Sequence, residues 1–226
     1  MTVVSNTDPR QVARFYLDTK ERITALVSAL DDSALTTTVA AACPGWSVRD
    51  VVAHCAAVAD DLGQGRLTGP PTDVETAAQI ARFEGHDMAG IIAVWTDAAA
   101  RLGRLAENAR VEPPVGDVTS HEHDVRGALG RPGARDSDAV RYSSDRLLGN
   151  LRTPVPLRVT VEDAEYRCGP ADGADLRLLT TRFEALRWRT GRRSRGQLAA
   201  MDWSDDPAPV LDHLYIFGPA AADLIE

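Results

Sequence analysis

Three residues of this 226-residue chain combine types and spacing suited to chemistry: His54, Asp117 and His121. Asp117 and His121 stand four residues apart, and on a helix that spacing puts both side chains on one face, where they can grip a single ion. Asp124 and Ala128 extend the same face, flanked by Val118 and Val125. His54 follows Val51 by three residues and precedes Val58 by four, so on a helix it borders an apolar stripe and points inward. Two readings stand at this point: histidines hydrogen-bonded within a core, or ligands of a metal. His123 is rotated by roughly 200° from His121 on a helix and cannot easily join it. Glu122 and Arg126 read as an i, i+4 surface ion pair.

The elements that must position these residues are helical. Apolar residues from Val12 to Leu30 recur at helical spacing and predict a first helix over 8–30. Ser47, with Asp50 three residues on, predicts the cap of a second helix running to about Leu62. After the loop GQGRLTGPPTD, a long third helix is expected over about 74–108, weakened in its middle by Gly85 and Gly90. A fourth starts near Asp117 and stops at Gly130 before Pro132, and a fifth covers about 137–150. Beyond Pro154 the period changes. PLRVTVED and AEYRCG read as a strand and its hairpin partner, and DLRLLTTR as a further strand. FEALRWRTGRR, SRGQLAAM and PVLDHLYIF read as helical. Helices first and mixed elements later predict an α+β chain with two domains, 1–150 and 151–226.

Composition narrows the partners. A net charge of −8 argues against general binding to nucleic acid or an anionic membrane. No run approaches the roughly 18–20 apolar residues that span a bilayer. MTVVSNTDPR lacks the pattern of a secretion signal, and three scattered cysteines, Cys43, Cys55 and Cys168, suit a reducing cytoplasm better than a disulfide framework. Of 25 basic residues only Lys20 is a lysine, a bias that a GC-rich genome produces without selection on the protein.

The stretches CPGWSVRDVVAHCAAVADDL (43–62) and DVTSHEHDVRGALGRPG (117–133) carry a resemblance. The first resembles the opening signature of the mycothiol-dependent maleylpyruvate isomerase family: a Pro-Gly-Trp turn, a capped helix, and a metal-binding histidine eight residues after the tryptophan, here Trp46 and His54. The second resembles that family's carboxylate, histidine and aspartate run, here Asp117, His121 and Asp124. The family usually has glutamate where Asp117 stands. DLRLLTTRFEALRWRTGRRSRGQLAAMDWSDD resembles the family's small C-terminal domain. The resemblance implies a DinB-like four-helix bundle followed by a small α+β, sterol-carrier-like domain, with a metal on His54, Asp117 and His121.

Two histidines and a carboxylate leave coordination positions open, as in catalytic sites. Zinc is the default ion, and nickel, iron or manganese also suit the set. Asp124 is then a supporting group rather than a ligand. The resemblance further implies mycothiol as a cofactor. A thiol ionised at the metal could isomerise a conjugated double bond or transfer to another small electrophile. An actinobacterial source fits both the arginine bias and that thiol.

Arg177, Arg182, Arg187, Arg189, Arg192, Arg193 and Arg195 read either as a solvated face or as a clamp for a carboxylate-bearing substrate. The family uses an arginine of this domain in isomerase catalysis, and Arg192 or Arg193 is the candidate. Cys55 reads as core and Cys43 as a non-catalytic residue near the site mouth. The four tryptophans read as core or domain-junction residues, and His86 and His213 as structural or surface. The alternative to an enzyme is a non-catalytic module that holds metal or another ligand.

Overall fold

The structure, a computed structural model, describes residues 7–226. Most of the N-terminal segment read for a secretion signal therefore lies outside the described residues. The chain is α+β and divides into two compact units, the first running to Pro132 and the second spanning Gly133–Ile225.

The first unit is helical: α1 (Pro9–Val27), α2 (Asp32–Thr37), α3 (Val48–Gly63), α4 (Asp73–Ala81), α5 (Met88–Glu107) and α6 (Val115–Ala128). The four long helices close into a bundle in which α1 and α3 each pack against both α5 and α6. Ser47 caps α3 reciprocally with Asp50: the Asp50 amide donates to the Ser47 hydroxyl (3.2 Å) and the Ser47 amide to the Asp50 carboxylate (2.9 Å). The long third helix expected over 74–108 is two helices. Gly85 takes φ +82°, and Asp87 starts α5 by accepting the Gly90 amide at 2.8 Å. Apolar periodicity continues across that break and hides it. α6 is buried over every residue from Val118 to Val125, although its middle reads Thr-Ser-His-Glu-His-Asp.

In the second unit, α7 (Asp138–Gly149) packs on α8 (Arg182–Arg189), so the units divide after Pro132 rather than near residue 150. β1 (Leu157–Val161), β2 (Ala164–Cys168), β3 (Leu176–Leu179) and β4 (Asp202–Trp203) form one sheet in the order β2-β1-β3-β4. β1 pairs antiparallel with β2 and parallel with β3, and β3 antiparallel with β4. Leu157, Val159 and Val161 alternate inward onto Trp188, Leu198 and Leu211. α9 (Arg195–Ala199) is short, and of the expected helix PVLDHLYIF only a 3-10 turn, Leu211–His213, forms.

Candidate metal centre

α3 and α6 bring the three residues together. His54 and His121 are buried, their rings 5.1 Å apart between centroids and near perpendicular. Asp117 lies one turn before His121, with its carboxylate oxygen 3.5 Å from His121 Nε2. One ligand atom from each of His54, Asp117 and His121 lies within 4.8 Å of the others. The donor set fits a divalent ion: 3.5 Å is an ordinary edge between ligands whose metal bonds are about 2.0–2.2 Å. The Asp117 side chain stays 39% exposed, which leaves this side of the cluster open to solvent.

Asp124 is fully buried and sits 3.0 Å from His121 Nδ1. With Nδ1 donating there, Nε2 faces the Asp117 carboxylate and is the nitrogen a metal would take in exchange for a proton. Burial alone would lower the His121 pKa. The nearby charge of Asp117 and the bonds to Asp117 and Asp124 outweigh it, and hold the pKa well above the usual histidine range.

The turn preceding α3 walls the cluster. The Trp46 amide donates to the Cys43 carbonyl (3.0 Å), and Gly45 supplies the φ of +85° that such a turn requires. Trp46 is half-buried, stacked on His121 at 6.2 Å and 5.2 Å from the His54 ring. It borders the candidate site, a placement that reading it as core missed. Cys43 Sγ lies 3.2 Å from Asp124 Oδ2. Behind the cluster, burial pushes the Cys55 thiol up to about 12. Tyr16, also buried, accepts the Trp95 indole N–H at 2.9 Å.

Glu122 and Arg126 do pair, but not at the surface. Glu122 is fully buried and is also gripped by the Arg22 guanidinium of α1, at 2.7 and 2.8 Å. His123 is buried as well and belongs to neither candidate ligand group. His86 and His213 are exposed.

The arginines of the second unit are a solvated face only in part: Arg177 and Arg195 are exposed, but Arg182, Arg187, Arg189 and Arg193 are buried. Arg182 binds Asp145 and Asp163. Arg189 donates to the Leu214 carbonyl, and burial lowers its pKa. Arg193 offers Nε and Nη2 to the two oxygens of Glu184, each at 2.7 Å, so its fork already holds a carboxylate of the protein. Arg192 is half-buried and donates to the Thr190 carbonyl.

Residues 16–178 match the family model described as the mycothiol maleylpyruvate isomerase N-terminal domain. Two solved structures are similar in fold: the mycothiol-dependent maleylpyruvate isomerase (TM-score 0.54) and a histidine-to-alanine mutant of it (TM-score 0.56). Each is 14% identical, over 85% of this chain and 92% of that one. No curated protein matches.

Proposed function

The chain belongs to the mycothiol maleylpyruvate isomerase N-terminal domain family, and from that premise we propose that it is a metal-dependent, mycothiol-using isomerase or thiol transferase acting on a small electrophile. The observation that carries this reading is the convergence of His54, Asp117 and His121 from two helices into one cluster open on the Asp117 side. Those three residues would hold the ion, zinc by default. When bound, the ion supplies the Lewis acidity that ionises a thiol, and the thiol supplies a nucleophile able to add to and leave an electron-poor double bond.

The chain's own residues orient that chemistry. Asp124 accepts a hydrogen bond from Nδ1 of His121 and fixes the ring. Trp46 covers the two imidazoles and keeps water from that face. Asp117 stands at the open side, where ligands enter. For a carboxylate-bearing substrate Arg192 and Arg193 are the candidate forks; in this structure Arg193 holds Glu184 and Arg192 donates to the Thr190 carbonyl. A cytoplasmic location fits the three free cysteines. No helix among the described residues is long and apolar enough to cross a membrane.

The test is calorimetry of mycothiol against metal-loaded and metal-stripped protein. Binding to the loaded form alone, with release of a proton, is expected, because the thiol must ionise to coordinate. A second reading, a non-catalytic binding module, is favoured by Asp117, whose arm is one methylene shorter than the family's usual glutamate. Absence of mycothiol binding to fully loaded protein would put that reading first.

A further inference from the structure

A second group of potential ligands, Cys43, His121 and Asp124, lies on the other side of the His121 ring, and all three are buried. Its distances decide what it is. Metal bonds of about 2.0 Å to nitrogen and oxygen and 2.3 Å to sulfur would set the N–O and S–O edges near ~3.3 and ~3.5 Å. The observed edges are shorter, 3.0 Å for His121 Nδ1 to Asp124 and 3.2 Å for Cys43 Sγ to Asp124. Those are hydrogen-bond lengths, with a proton rather than an ion between the atoms.

We propose that Cys43 is a positioning residue of the metal centre: its thiol donates to Asp124, the carboxylate that holds His121 by Nδ1 and leaves Nε2 to the metal. This inference rests on the metal reading of His54, Asp117 and His121 given above.

The local structure holds the thiol in place. Cys43 opens the Pro-Gly-Trp turn, its own amide donates to the Ala40 carbonyl at 2.8 Å, and the Ala40 amide donates to the Trp46 carbonyl at 2.9 Å. The Val48 amide, at the start of α3, donates back to Thr38 at 2.9 Å, which ties the loop to the helix that carries His54. Asp124 is 1% exposed, and a carboxylate so buried needs every donor it can find. Its Oδ2 is shared by the ring N–H of His121 and the S–H of Cys43, so both its position and its rotation are set from two directions. Removing the thiol takes one donor from Oδ2 and loosens the carboxylate that anchors the ring. The same turn therefore places Trp46 over the imidazoles and Cys43 under their supporting carboxylate.

The experiment compares zinc affinity of the full chain, stripped of metal, by competition with a chromogenic chelator. Wild type, Cys43→Ser, Cys43→Ala and Cys43→Val are titrated, and circular dichroism checks that each is folded. Serine keeps a donor and should stay within about threefold of wild type. Alanine and valine lack one and should bind about 10–100-fold more weakly, the usual effect of losing an outer-shell partner. Valine fills the volume, so it separates the lost donor from a lost contact if alanine unfolds. Equal affinity in all four proteins, or equal weakening in all three mutants, would overturn the proposal. So would a sulfur-to-cobalt charge-transfer band in cobalt-loaded wild type without added thiol that vanishes in Cys43→Ser, since Cys43 would then be a ligand. Wild type that takes up no zinc would sink the metal reading and this inference together, whereas zinc-binding wild type with unaffected alanine and valine variants would sink this inference alone.

Discussion

The middle of α6 and the arginine-rich α8 both bury charged side chains, and they satisfy them differently. Around α8 the guanidinium groups are met by the protein's own acceptors: Glu184 for Arg193, Asp145 and Asp163 for Arg182, the Leu214 carbonyl for Arg189. On α6 the carboxylates of Asp117 and Asp124 both converge on one imidazole, His121, with a second imidazole beside it. The first arrangement is closed and costs stability when opened. The second sets carboxylates against both nitrogens of one imidazole and stays open to solvent on the Asp117 side. Density of charge in a sequence therefore says less than the sign and direction of the partners.

The largest effect on stability should come from the closed region. Arg193→Ala leaves Glu184 without its bidentate partner and should cost about 3 kcal/mol, read by chemical denaturation, while zinc affinity stays unchanged. Lost zinc affinity at unchanged stability would erase the contrast drawn above.

On α6, Asp117→Glu restores the family's longer arm and should tighten zinc about tenfold, or roughly 1.4 kcal/mol. Weaker binding would show that this backbone is already fitted to aspartate.

The pH response follows from the raised pKa of His121. Its protonated form stabilises the metal-free fold fully below the ordinary histidine value of 6.5, and that contribution is lost as pH rises through the higher folded value. A metal must displace that proton, so zinc affinity should climb as pH rises through the same window. A flat profile there would remove His121 from the ligand set. The smallest effect concerns Cys55. With its thiol pushed up to about 12, alkylation of the folded protein at pH 8 should leave Cys55 unmodified by peptide mass analysis, and rapid labelling would contradict its burial.

Local signals were legible in the sequence. The Ser47 and Asp50 cap, the i, i+4 pair on α6 and the alternation of β1 depend on neighbours a few residues apart, and each formed as read. What was hidden depends on distant partners. Glu122 is read as a surface residue until Arg22, 100 residues earlier, closes on it. Arg193 is read as a free fork until α8 brings Glu184 alongside. The break at Gly85 carried its own signals, a glycine and a capping aspartate, but a continuous apolar stripe outweighed them.

Metal content of the purified protein tests the central claim most directly. Elemental analysis of protein prepared without chelator should find about one divalent transition ion per chain in wild type, and close to none in folded His54→Ala and His121→Ala. Equal metal in wild type and both variants, or none in wild type supplied with zinc, would contradict a metal centre built on His54, Asp117 and His121.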